Sequence, residues 1–78
     1  MATPSSLAGT NLIAVLEASD WVRARERLQR VVLRHADHAK RITIRKDRIY
    51  GKNEIQRYLK TAGITPEKFA ETFKQMRD

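Results

Sequence analysis

Without a single cysteine, a chain of 78 residues has to hold its fold together by packing alone. Disulfide staples and thiolate metal sites are excluded at once. The length allows one domain with one modest core. Apolar residues make up 41% of the chain, the share of a globular domain rather than of a disordered tail. The longest strongly apolar run, Leu12-Ile13-Ala14-Val15-Leu16, falls far short of the roughly 20 residues that span a bilayer, and no Lys or Arg precedes it as in a secretory signal. The expectation is a protein without a membrane partner, located in the cytoplasm or on the nucleoid.

Local signals predict a mainly α domain of four helices. Residues 1–9 are small, polar or turn-forming and read as a flexible N-terminal segment, leaving residues 10–78 as a single basic helical domain. Thr10 or Asn11 can cap a short helix over Leu12 to Leu16. Ser19-Asp20 then opens a long helix to about Ala39. Along it Trp21, Ala24, Leu28, Val31, Val32, His35 and Ala39 recur at spacings of three and four, with Arg23, Arg27, Arg30, Arg34 and Asp37 opposite and no Gly or Pro between.

Arg41-Ile42-Thr43-Ile44-Arg45 changes to strict alternation, which suits a half-buried strand, and Arg48-Ile49-Tyr50 can return beside it as a short β-hairpin turning at Lys46-Asp47. Asn53, with Gln56 at capping-box spacing, starts a third helix carrying Ile55, Tyr58, Leu59 and Ala62 on its apolar face, and Gly63 stops it. Thr65-Pro66-Glu67 supplies cap, first-turn proline and first-turn acid for a last helix with Phe69, Ala70, Phe73 and Met76 inward. The last two helices read as a helix-turn-helix-like pair, with Ile64 and Phe69 buried and Thr65, Glu67, Lys68 and Glu71 outward.

Charge is the functional signal. The formal net charge is +7, yet residues 23–60 hold thirteen Lys or Arg against four acids, a surplus of nine. The excess is therefore regional, and its arginines suit phosphate oxygens and guanine edges. The expected partner is nucleic acid, DNA in the first place, in a regulatory or architectural role; RNA is a third reading, since nothing in the sequence separates it from DNA and no RRM or KH motif is present. Candidate binding residues are Arg23, Arg27, Arg30 and Arg34 on the long helix and Arg41, Arg45, Lys46 and Arg48 on the hairpin. Lys52, Arg57 and Lys60 follow on the third helix. Tyr50, beside the hairpin, is a candidate base contact. The rival expectation is a modulator or inhibitor that docks on an acidic surface of a larger enzyme, and the apolar seam of the long helix also suits a homodimer.

The stretch from Arg41 to Leu59 resembles the wing-plus-helix end of excisionase-like winged-helix proteins. It covers under a third of the chain without a diagnostic motif, and the segment before it does not supply that family's helix-turn-helix, so the family is not adopted. Catalysis is not expected, and neither is a cofactor. His35 and His38, three apart on a helix, could approach one metal, but no third ligand is apparent and His35 falls on the apolar seam. The three glycines are scattered and form no phosphate-cradling loop.

Overall fold

The computed structural model describes residues 5–77, the final two by backbone alone. Met1 to Pro4, the start of the segment read as flexible, lie outside the described residues, as does the side chain of Met76. Chain order is β1 (Ser6–Ala8), α1 (Gly9–Ala18), β2 (Val22–Glu26), β3 (Arg30–His35), β4 (His38–Arg45), β5 (Ile49–Gly51), α2 (Lys52–Ala62) and α3 (Pro66–Arg77).

The mainly α reading is overturned. Among the described residues three helices stand beside five strands, and two antiparallel sheets of two and three strands make the fold α/β. The long helix expected from Asp20 to Ala39 is absent; β2, β3 and the start of β4 replace it, in a meander ordered β2-β3-β4. The physical reason lies in burial. A helix over this stretch would hide one stripe of a chain that has few large apolar residues. As strands, Val31 and Leu33 face the same side and stand opposite Ile44 and Ile42, so all four enter one core. Val31 and Val32 are β-branched and fit the pleated surface better than a helix. Leu28, assigned to the apolar stripe, instead sits at a hairpin tip.

The second correction concerns the hairpin. β4 contains the expected strand over residues 41–45, but its expected return partner does not pair with it. β5 pairs with β1, Leu7 opposite Tyr50, in a separate two-stranded sheet. The Tyr50 hydroxyl accepts from the Arg45 N–H at 2.9 Å, occupying the donor that a hairpin ladder would have used. Ser6 to Ala8, from the stretch read as loose, is thus a strand that buries Leu7.

The three helices form where local signals place them, but the first two start from other caps than expected. α1 buries Leu12, Ile13, Val15 and Leu16. Its cap position is Ala8 rather than Thr10 or Asn11, because the chain enters the helix pressed against the β4–β5 turn: Gly9 N–H donates to the Arg48 carbonyl at 2.8 Å, and a Cβ on Gly9 would overlap the Arg45 carbonyl oxygen. α2 starts at Lys52 with Gly51 as its cap, not at Asn53 with Gln56: the Glu54 carboxylate accepts from Gly51 N–H and takes the box position, and Gly63 ends the helix in the left-handed conformation at φ 72°. Thr65 Oγ1 accepts from Lys68 N–H at 3.1 Å and caps α3. Trp21, Tyr50, Ile55, Leu59, Ile64 and Phe69 complete the core between the helices and the inner side of the three-stranded sheet.

Candidate nucleic-acid interface

Helices cover only one side of the β2-β3-β4 sheet; the other side is open, and its composition follows from register. Along β4, Ile42 and Ile44 are buried while Arg41, Thr43 and Arg45 alternate outward. On β3, Val31 and Leu33 point in and Arg30, Val32 and Arg34 point out. Val32 stands opposite Thr43, and Arg30 opposite Arg45.

β2 joins this face through a bulge. Arg23 is opposite Leu33, on the core side, and Arg25 is opposite Val32, on the outer side. Residues two apart on a regular strand share a face. The register shift between Arg23 and Arg25 inserts Ala24 as an extra residue and turns Arg25 outward. Arg27 follows on the same side, its N–H donating to the Arg30 carbonyl at 2.7 Å. Arg25, Arg27, Arg30, Val32 and Thr43 together line a shallow cavity of about 310 Å³.

The face therefore presents Arg25, Arg27, Arg30, Arg34 and Arg41, all exposed, and among the described residues none of these five has an ion-pair partner. Arg45 is the sixth, held by Asp47 at 3.0 Å. No Asp or Glu occupies an outward position on the three strands. Glu26 stands opposite Val31 on the inner side, where Lys46 and Arg23 hold its carboxylate and push its pKa below the ordinary value. Neighbouring strands lie about 4.8 Å apart and outward residues along one strand about 6.6 Å, so the guanidinium groups form a two-dimensional array.

Of the residues singled out from sequence, Arg27, Arg30, Arg34, Arg41 and Arg45 converge here. Arg23 does not: it bridges Glu17 and Glu26 at 3.0 and 2.9 Å. Lys46 is taken up by Glu26, and Arg48 by Glu54 while its guanidinium lies 4.9 Å from the Tyr50 ring centroid. Lys52, Arg57 and Lys60 are exposed but belong to α2, in the helix layer. Tyr50 is 1% accessible, which rules it out as a base contact in this conformation. Arg25 escaped the sequence reading because a helical wheel places it off the stripe of Arg23, Arg27, Arg30 and Arg34. The alternation of Val31 and Leu33 with Arg30, Val32 and Arg34 was the available signal.

α2 and α3 follow one another across Gly63 with Ile64 and Phe69 buried, but α3 packs against α1 rather than pairing closely with α2. The outward side of α3 carries Glu67 and Glu71, however, and the arginine concentration lies on the sheet. The two histidines also meet differently from the expectation. They are partners across the β3–β4 turn, ring centroids 4.9 Å apart, and both contact Trp21 at 5.4 and 5.3 Å. His35 Nδ1 accepts from Asp37 N–H at 3.0 Å, so that nitrogen serves the turn. Among the described residues no group of three or more His, Cys, Asp or Glu is placed to hold a metal ion, and no helix is long and apolar enough to cross a membrane.

No family model, curated protein or solved structure matches the chain.

Proposed function

We propose that this protein binds nucleic acid, duplex DNA in the first place, through the outer face of its three-stranded sheet. One observation carries the reading: five arginines that have no ion-pair partner among the described residues share a face on which no strand position holds a carboxylate. Such an array attracts a polyanion, and arginine forks match phosphate oxygens in pairs. The form of nucleic acid follows from what the face lacks. Its outward positions hold arginine, valine and threonine but no aromatic ring, so it offers phosphate contacts and no stacking platform for unpaired bases. A regular double strand, whose phosphates keep fixed spacing, suits a rigid array better than a flexible single strand does. The mechanism is counterion release, with the sheet positioned by phosphates.

Fluorescence anisotropy with duplex DNA, single-stranded DNA and duplex RNA over a salt series tests this reading. Neutralising five phosphates with Arg25, Arg27, Arg30, Arg34 and Arg41 predicts a slope of log affinity against log salt of about −4.5 on B-form DNA. Replacing Arg25, Arg30 and Arg34 together by Gln should flatten that slope by about 3 and weaken binding at every sequence. The matching triple on α2, Lys52, Arg57 and Lys60 to Gln, should change affinity far less. If the α2 triple proves the more damaging, the interface lies on the helix layer. If no nucleic acid binds better than a basic control peptide at near-physiological salt, the reading fails and the anionic partner is an acidic protein surface.

A further inference from the structure

Leu28 is 89% accessible, more than the other exposed large apolar residues, Ile49 at 63% and Val22 at 46%. It occupies the tip of the β2–β3 hairpin, where turn chemistry favours Asn, Asp or Gly and a leucine gains nothing by burial. Neither tip residue has a positive φ, so Leu28 is not present to satisfy a backbone requirement.

The tip is braced from the side. The Gln29 carbonyl accepts from Lys46 N–H at 2.7 Å, and Gln29 Oε1 accepts from the Arg45 guanidinium at 3.3 Å. Lys46 Nζ reaches Glu26, two residues before Leu28. Gln29 is thereby tied to the end of β4, while Leu28 beside it projects into solvent on a support that does not have to be ordered on binding. Arg27 and Arg30 flank it and line the cavity that opens onto the arginine face. An apolar side chain projecting from a braced tip between phosphate-seeking cations has the parts of a wedge: the cations seat the ribbon on the backbone, and the leucine is left facing the base stack.

We infer that Leu28 inserts between adjacent base pairs of a duplex seated on the arginine face, unstacking one step and kinking the DNA. This rests on the nucleic-acid reading above and adds to it a mode of engagement. The ligand is a duplex with a deformable step. Entry is from the minor groove, as with other apolar wedges, and the bend opens away from the protein's tip toward the major groove. Pyrimidine–purine steps unstack most readily, so the wedge supplies a preference at a position where no hydrogen bond reads a base.

The test uses the full chain and a duplex of roughly 30 base pairs, far shorter than the persistence length of about 150, carrying a donor and an acceptor dye at its ends. A second duplex places 2-aminopurine beside a central TA step in an otherwise stiff A-tract. Wild-type protein should shorten the end-to-end distance and raise 2-aminopurine fluorescence. It should also bind the TA duplex several-fold more tightly than the uninterrupted A-tract. Leu28→Ala, a change at an exposed position, should abolish all three effects while overall affinity falls by no more than about tenfold and the salt slope stays unchanged. Leu28→Met, apolar and of similar volume, should restore the bend. Binding with undiminished bending by Leu28→Ala, or binding without any bend by the wild type, overturns the wedge and leaves the sheet interface standing. Absence of binding by both proteins to both duplexes overturns the two readings together.

Discussion

Arg30 and Arg45 stand directly opposite one another across the β3–β4 ladder, two like charges on one open face. Asp47 relieves Arg45 through bonds of 3.1 and 3.0 Å, but among the described residues Arg30 has no ion-pair partner. Like charges facing each other on a sheet oppose folding. Arg30→Thr places a β-branched residue in the strand and removes the repulsion. The expected outcome is a stability gain of about 0.2–1 kcal/mol in urea denaturation. Duplex binding should weaken in the same variant, with its salt slope smaller by about 1. A residue that costs stability and supports binding is the pattern of a functional position; a loss of stability on this substitution would contradict it.

The bulge at Ala24 separates two arginines that sequence spacing would place together. Arg23 is bonded to Glu17 and Glu26, whereas Arg25 faces Val32 on the open side. Arg23→Gln should therefore lower stability slightly, by less than about 1 kcal/mol for exposed pairs, and leave nucleic-acid affinity close to wild type. Arg25→Gln should do the reverse. Urea melts and anisotropy on the two single variants give the comparison, and equal effects of both on affinity would mean that the bulge does not sort them.

The three helices were legible because their signals are local: Gly63 as a stop, Thr65-Pro66 as a start, and the compact apolar run at Leu12 to Leu16. The strand over residues 41–45 was legible from alternation. Residues 20–39 were not, because Trp21, Ala24, Leu28, Val31, Val32 and His35 satisfy a helical period by coincidence and arginine is itself a good helix former. Neither turn in that stretch, Leu28-Gln29 or Ala36-Asp37, carries the Asn-Gly or Asp-Gly pair that marks a hairpin. What decided the outcome is non-local: Val31 and Leu33 gain burial only when Ile44 and Ile42 arrive from the next strand and α1 covers them. The regional charge surplus was visible, but the members of the array depend on register and, for Arg23 and Arg25, on the bulge at Ala24. Arg25 could join it, and Arg23 leave it, only once the strand pairing was known.

Two glycines are placed where side chains do not fit. Gly63 has φ 72°, and a Cβ there would come within 3.2 Å of the His38 ring. Gly63→Ala combines left-handed strain with that contact, and a loss of about 1–2 kcal/mol is expected from the backbone conformation and the displaced capping geometry. Gly9 has the severer restriction, since an added Cβ would meet the backbone carbonyl of Arg45 rather than a movable side chain. Gly9→Ala should exceed Gly63→Ala in destabilisation and should also shift the β4–β5 turn, including the Arg48 carbonyl that Gly9 N–H contacts. Thermal melts rank the two, and a smaller effect at Gly9 would show that the turn yields easily.

Acid should weaken the fold through the carboxylates that flank the arginine face. Lys46 and then Arg23 hold Glu26 below its ordinary value of 4.5, and Arg45 holds Asp47 below its ordinary value of 3.8. Both groups are more acidic folded than unfolded, so on acidification the unfolded chain takes up protons first. Their contribution is complete above these ordinary values and disappears as pH falls through the folded ones. Melting temperature should accordingly be insensitive to these groups from neutral pH down to about 5 and decline below it, with a decline that shrinks in high salt because both carboxylates are exposed. Glu26→Gln removes one source, so its curve should fall less steeply in acid than that of the wild type. The same variant releases Lys46 and Arg23 without placing a carboxylate elsewhere, so its affinity for duplex DNA at neutral pH should equal or exceed wild type. Identical acid slopes for the two proteins would show that Glu26 titrates alike in the folded and unfolded chain and that its pairs do not stabilise the fold.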